Sequence, residues 1–283
     1  TIVVILFETL VANAQGLNTD SLRSLLAVVK EDTSRIMLLV HLSNEFARSD
    51  PDSAFPLAQE GLTLAKQIHY LKGELSLTAS LAVAWANKGD YSTAIKLLLS
   101  NIKYIDASND IRLKWTYYYE LSNIYRDQGD HAEALKYANA MIGLTEDVRR
   151  RSPQAPCYNC RSAYSLLALA YLETHQLDSS KKYIHAALSY PPVPTLKGAN
   201  AHIFATAGRI QAELKNYDSA LYFYRKSIQL FQQVKHTLKG LARTYTYMAI
   251  LFDRTSARDS ALSYLHKSLA VKKKKNFARE LLE

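Results

Sequence analysis

A chain of 283 residues, 48% of them hydrophobic, can bury a large core, and its 9 glycines and 7 prolines argue against a loop-rich or linker-divided protein. Its net charge of +9 comes from 35 Lys and Arg against 26 Asp and Glu. The basic residues are scattered over the chain, which reads as a solvated surface and sets aside nucleic acid as a partner of this region.

The chain opens on an apolar, β-branched stretch, Thr1 to Phe7, that runs through Leu10 and Val11 to Ala12-Asn13-Ala14-Gln15. Small residues at Ala12 and Ala14 suit signal peptidase, so residues 1–14 read as the remnant of a signal peptide cut before Gln15. Glu8 interrupts that apolar core, and the competing reading is an apolar helix packed on the first repeat. No cysteine follows the cleavage residues, which argues against a lipid anchor. Elsewhere no apolar run reaches the roughly 18 residues that span a bilayer, so membrane attachment is expected only through a segment downstream.

From residue 15 to 283 the pattern is helical and repetitive, with units near 34–69, 73–105, 111–147, 157–189, 196–234 and 238–272. The first unit sets Leu39, Leu42 and Phe46 on one stripe before Ser49-Asp50-Pro51-Asp52, where Pro51 suits a first helical position. In the second, Leu81, Ala82 and Trp85 lead to Lys88-Gly89-Asp90-Tyr91. Gly89 is expected to take a left-handed C-cap and Asp90 to cap the next helix, whose facing stripe is Tyr91, Ala94, Ile95 and Leu98. The third unit carries Tyr118, Leu121 and Tyr125, then Gln128-Gly129-Asp130-His131 and Ala134, Ala138 and Met141. Its run Tyr117-Tyr118-Tyr119 cannot all be core, because successive helical residues point about 100° apart. Tyr118 is assigned to packing, Tyr117 to a neighbouring repeat and Tyr119 to an open groove. The fourth unit places Tyr164, Leu167, Ala168 and Tyr171 before a turn at His175-Gln176-Leu177-Asp178. The fifth has Phe204, Ala207 and Gly208, a turn at Lys215-Asn216-Tyr217, then Ala220, Tyr224 and Ser227. The sixth runs Tyr245, Met248, Ala249 and Phe252, with Ala261 and Leu265 in its second helix. Phe277 is expected to open a partial seventh.

One small residue recurs in every unit. Ala54, Ala94, Ala134, Ser180, Ala220 and Ala261 are spaced 40, 40, 46, 40 and 41 residues apart. A small side chain at a fixed period marks a repeated close approach of two helices, so the expected fold is an all-α superhelix of about six helical hairpins. The long interval locates an insertion that holds Arg149-Arg150-Arg151, Pro153 and Pro156, expected as an extended loop.

The recurring order of large apolar, Leu, small and Tyr, followed by Gly-Asp-Tyr-x-x-Ala, resembles the tetratricopeptide repeat family over Ser34 to Val271. The period of about 40 exceeds that family's usual length of about 34 residues and implies helices longer by most of a turn. A narrower resemblance covers Leu17 to Gly73, through Asp20-Ser21-Leu22, Asp32-Thr33-x-Arg35 and Ser49-Asp50-Pro51-Asp52-x-Ala54. It is similar to the start of extracytoplasmic repeat regions of bacterial sensor histidine kinases and helix-turn-helix signalling proteins.

The resemblance implies that the first helix of each hairpin lines a concave groove. Residues beside the packing stripe there are Asn44, Tyr119, Asn123, Arg126, His202, Arg209, Glu213, Arg243, Thr246 and Asp253, whose amide, hydroxyl and charged groups suit a peptide. Relatives that hold acidic chaperone tails use a Lys/Asn clamp. Asn123 matches one of its asparagines, but Tyr119, His202 and Thr206 stand where cations belong, so that partner is not expected.

Cys157-Tyr-Asn-Cys160 admits three readings. A thiol activated by Arg161 and a helix N-terminus would be redox-active, but no thioredoxin-like strands surround it. Zinc needs further ligands that are not nearby. A local disulfide between Cys157 and Cys160, or two inert thiols, is the structural reading. No phosphate loop, His-Glu-x-x-His or Gly-x-Ser-x-Gly occurs, so no catalytic residue, metal site or cofactor is expected. The expected function is non-enzymatic binding of a protein or peptide segment, as the periplasmic input domain of a membrane-anchored signalling protein. The alternative is a free periplasmic or cytosolic adaptor. Oligomeric state is not legible.

Overall fold

The structure, a computed structural model, describes residues 19–26, 29, 32–151, 157, 159–234 and 238–280, so the leader-like residues 1–14 lie outside the described residues. All regular structure among the described residues is helical. In chain order the helices are α1 (Thr19–Leu26), α2 (Thr33–Ser49), α3 (Pro51–Gln67), α4 (Leu71–Lys88), α5 (Tyr91–Ser100), α6 (Ile102–Ala107) and α7 (Ile111–Gln128). They continue as α8 (His131–Arg151), α9 (Cys160–Glu173), α10 (Leu177–Ser189), α11 (Lys197–Glu213), α12 (Tyr217–Phe231), α13 (Leu238–Arg254) and α14 (Arg258–Glu280).

Short polar turns end the first helices by one device. At Gly89 the chain turns left-handed (φ 92°), the Gly89 N–H bonds Ala86 O at 3.1 Å and the Asp90 N–H bonds Trp85 O at 3.0 Å. This pair of bonds satisfies carbonyls that the helix end leaves open. Gly129 turns the same way at φ 99°. The same doubled bond closes the turns at His175, Lys215 and Ser256, and at His69 after the second helix α3, each left-handed without being glycine. Caps start the next helices: the Asp90 carboxylate accepts from Thr93 N at 2.9 Å, and Asp130 accepts from Glu133 N at 3.1 Å. Pro51 occupies the first turn of α3, where its missing N–H costs nothing.

The small-residue beat is the packing register. Ala54, Ala94, Ala134, Ser180, Ala220 and Ala261 are all buried, none above 7% exposed. Ser180 adds a bond, its hydroxyl donating to Ala168 O on α9 at 2.8 Å, and Ser268 does the same to Ala242 O on α13. Glycine extends the theme where an aromatic ring lies flat on a helix. Any Cβ on Gly208 of α11 would stand 2.5 Å from the Tyr224 ring of α12.

The described residues form two compact units, divided between Gln128 and Gly129. In the first, α2 packs on α3 and α4, α4 on α5, and α7 on both α4 and α5. The first helices α2, α4 and α7 are thus consecutive neighbours. In the second, α9 packs on α8, α10 and α11, α11 on α12 and α13, and α13 on α14, so α9, α11 and α13 form the corresponding layer.

Three expectations need correction. Arg149, Arg150 and Arg151 are not in a loop but form the last turn of α8, where Arg151 pairs with Asp147 at 2.8 Å and cations complement the helix C-terminus. Phe277 does not open a new hairpin, because α14 runs unbroken to Glu280 through Lys272-Lys273-Lys274-Lys275, which contains no helix breaker. Tyr118 is only half-buried and its hydroxyl donates to Asp106 at 2.6 Å. The core tyrosine of that run is Tyr117, fully buried, whose hydroxyl donates to Leu75 O on α4 at 2.8 Å. Burial pushes the Tyr117 phenol pKa well up.

Candidate functional site: the layer of first helices

The first helices expose one edge to their neighbours in the layer, and polar side chains bridge them at close to the repeat spacing. In the first unit the Ser80 hydroxyl donates to Asn44 Oδ1 at 2.6 Å, and Asn87 Nδ2 donates to Ala47 O at 3.1 Å. Those pairs are 36 and 40 residues apart in sequence. Arg48 reaches farther, from α2 to Glu120 on α7, at 2.5 Å.

The second unit repeats the plan with arginines. Arg161 Nη1 donates to Asn200 Oδ1 at 2.5 Å, Arg209 Nη1 to Glu173 Oε1 at 2.7 Å and Arg254 Nη2 to Glu213 Oε1 at 2.9 Å, across separations of 39, 36 and 41 residues. Arg209 also lies 4.9 Å from the Tyr247 ring centroid, so Glu173, Arg209 and Tyr247 run across α9, α11 and α13. Burial opposes the Arg209 charge, but Tyr247 and Glu173 outweigh it and its pKa is raised. The Glu213 hydrogen bond raises that of Arg254. These are charge-assisted bonds between adjacent helices and they fix side-chain geometry along the layer.

The sequence-derived candidates therefore fall into two groups. Asn44, Arg209 and Glu213 sit on the layer and hold neighbouring first helices together. Asn123 and Arg126 act within α7: Asn123 Nδ2 donates to Tyr119 O at 2.9 Å, and Arg126 donates to Asn123 Oδ1 at 2.7 Å and pairs with Asp127 at 2.8 Å. Thr246 is drawn toward the second helix of its own hairpin, with its hydroxyl 3.0 Å from Ser268 Oγ on α14. Tyr119 is half-buried and stacks on Trp115, with centroids 4.9 Å apart and planes 12° from parallel. The Trp115 indole N–H is buried without a hydrogen-bond partner among the described residues. His202 is exposed and set edge-on to Phe231 at 4.8 Å, Arg243 is half-buried and Asp253 is exposed. Tyr119, Asn123 and Arg126 are gathered within one helix, and Arg209 and Glu213 lie a turn apart on α11.

Sequence reasoning passed over Arg48, Glu120, Arg161, Asn200 and Glu173 as layer residues. The available signal was a polar residue recurring near the 40-residue period on a first helix. Cys157 is joined by a disulfide to Cys160, the first residue of α9. No group of three or more His, Cys, Asp or Glu side chains that could hold a metal occurs among the described residues. No helix among them is long and apolar enough to cross a membrane.

Tandem helical hairpins, a buried small residue at each crossing and left-handed turns between paired helices define a tetratricopeptide repeat protein. The family described as the SusR N-terminal TPR domain matches residues 17–227, and the chain belongs to it. No curated protein matches the chain. Among solved structures, NprR in complex with its cognate peptide NprX is similar at a TM-score of 0.63 and 16% identity, over 93% of this chain and 75% of that one. The apo form of the quorum sensor NprR from B. thuringiensis gives 0.57 and 17%, over 93% and 73%. BtubC (BKLC) from P. vanneervenii gives 0.55 and 13%, over 80% and 92%. At these identities the likeness is one of fold.

Proposed function

We propose that this domain is a non-enzymatic scaffold that binds a protein or peptide segment along its layers of first helices, and that it works outside the cytoplasmic membrane as the input domain of a membrane-anchored signalling protein. The observation that carries the binding reading is the row Glu173–Arg209–Tyr247 across three consecutive first helices. Its charged and aromatic groups are held in place before any ligand arrives, which lowers the ordering cost of binding. Similar fold is found in NprR, solved with a peptide. The location rests on two features: the apolar start with small residues at Ala12 and Ala14, and the Cys157–Cys160 disulfide, which an oxidising compartment preserves. Ligand binding is expected to change the stacking of adjacent hairpins, because residues that contact ligand on one first helix also bond the next.

The location is tested on the full gene product in its own host. Spheroplasts are treated with an impermeant protease, and unreacted thiols are trapped beforehand with an alkylating agent. The expected result is digestion of this domain from outside, with Cys157 and Cys160 unalkylated. A domain protected until the membrane is lysed, with both cysteines alkylated, refutes export. Binding is tested by selecting a displayed random-peptide library on the purified chain. Selected peptides should lose affinity for Arg209→Ala and Tyr247→Ala, and equal affinity for those variants overturns the assigned surface.

A further inference from the structure

Three arginines bridge the first helices of the second unit, and two of them meet a carboxylate. Arg161 does not. It stands in the first turn of α9, only 4% exposed, and among the described residues its one hydrogen bond goes from Nη1 to the neutral amide of Asn200. Its Nε is buried and has no acceptor among the described residues. Asn200 offers it only the neutral Oδ1, since Nδ2 is itself a donor and donates to Val193 O at 2.7 Å. A guanidinium withdrawn from water without a counter-charge is costly, and a single amide offsets little of that cost.

The surroundings add positive charge rather than cancel it. Arg161 lies 5.2 Å from the Phe204 ring centroid, and Lys226 from α12 lies 5.6 Å from the same centroid. Two cations thus share one ring, with no carboxylate paired to Arg161 among the described residues. The start of α9 is also uncapped, since Asn159 makes no side-chain capping bond. Its N-terminal N–H groups contribute further positive potential.

We infer that Arg161, with Asn200 and Lys226 around the Phe204 ring, forms a binding site for a carboxylate group. Nε with the adjoining Nη2 is the edge of a guanidinium that takes a carboxylate through two parallel hydrogen bonds, and Nη1 is already committed to Asn200. Burial alone pulls the Arg161 pKa down, whereas Arg209 and Arg254, each with a glutamate, are raised. A bound carboxylate would give Arg161 what its two counterparts already have. The inference does not need the peptide-scaffold reading. The carboxylate could belong to a small acid or to the C-terminus of a peptide, and either source would use the same contacts.

The test uses the whole 283-residue chain at fixed ionic strength, titrated with sodium acetate, with an N-acetylated tripeptide as free acid, with its C-terminal amide, and with inorganic phosphate, against sodium chloride. Arginine Nε–Hε resonances are followed by NMR, and that of Arg161 is assigned by its loss in Arg161→Lys. A saturable shift of the Arg161 signal with acetate and free-acid peptide, absent with the amide, supports the site. Comparable affinities assign it to small acids, and a free-acid peptide at least about tenfold tighter than acetate assigns it to a peptide terminus. Asn200→Asp supplies the missing carboxylate from within. It should raise the thermal midpoint in chloride and abolish the acetate response. No carboxylate-dependent shift at Arg161, a shift with phosphate alone, or an undiminished acetate response in Asn200→Asp overturns the proposal. An Arg161 shift in a chain that selects no library peptide refutes the scaffold and leaves this site standing.

Discussion

Arg48, near the end of α2, holds Glu120 on α7 at 2.5 Å, and the two side chains are 55% and 7% exposed. The pair is asymmetric: the carboxylate is buried and the cation reaches it from the surface. Truncating Arg48 leaves a buried charge without its partner, whereas truncating both removes the cost along with the bond. Arg48→Ala should therefore cost about 1–2 kcal/mol, less than a fully buried pair because half of Arg48 is solvated. Arg48→Ala with Glu120→Gln should recover most of that loss. Urea denaturation of the two single variants and the double variant checks it, and equal losses from Arg48→Ala in the presence and absence of Glu120 refute the coupling.

The flat contact of Tyr224 on Gly208 makes a second test. A methyl group at Gly208 meets ring carbons 2.5 Å away, and Tyr224 is 2% exposed with no room to retreat. Overpacking of this kind costs about 1–3 kcal/mol, so Gly208→Ala should lower stability by that amount despite the better helix propensity of alanine. Gly143 on α8 is the matched control, exposed, inside a helix and with nothing within 4 Å of its Cβ position. Gly143→Ala should stabilise by about 0.5–1 kcal/mol. Opposite signs in thermal unfolding are the expected outcome, and a loss at both positions contradicts it.

Repetition made the fold legible. A small residue every 40 residues survives any ambiguity in a single helix, and it fixed which face each second helix buries. The tyrosine run shows the limit: Tyr117 and Tyr118 differ by about 100° around α7, and periodicity alone could not choose between them. The candidate site was legible by place and not by role. Asn44, Arg209 and Glu213 do lie on first helices, but their hydrogen bonds run to Ser80, Glu173 and Arg254, 36 to 41 residues away. Which rotamer reaches the next repeat depends on how far the helices are displaced along their axes, and spacing does not encode that. Arg161 was hidden for a different reason. Beside Cys160 it reads as a thiol neighbour, while its contacts lie on α11.

His41, on the middle of α2, gives the domain an acid-sensitive element. Partial burial lowers its pKa from the usual value of 6.5. The unfolded chain then binds a proton more readily than the folded one, so the stabilising contribution is complete above the unfolded pKa and is lost as pH falls through the folded value. Between about pH 7.5 and 5 the wild type should lose more stability than His41→Gln, measured as the urea midpoint at each pH. Parallel pH profiles for the two proteins would falsify the assignment.

The turn at Lys215 exposes a place where the sequence is worse than its own consensus. Lys215 and His175 occupy left-handed backbone at φ 62° and 59°, in the position that Gly89 and Gly129 fill elsewhere. A side chain there costs about 1–2 kcal/mol of strain, while glycine adds about 0.5–1 kcal/mol of unfolded-chain entropy. The balance favours glycine, because the doubled backbone bond from Lys215 N to Ala212 O and Asn216 N to Gln211 O is kept. Lys215→Gly and His175→Gly should each stabilise by about 0.5–1 kcal/mol, and Gly89→Ala should destabilise by about 1 kcal/mol. Nothing lies within 4 Å of a Cβ at Gly89, so that loss isolates backbone conformation from crowding. Differential scanning calorimetry of the three variants decides the matter. A lowered midpoint for Lys215→Gly would mean that the lysine side chain makes a contact worth more than the strain it carries.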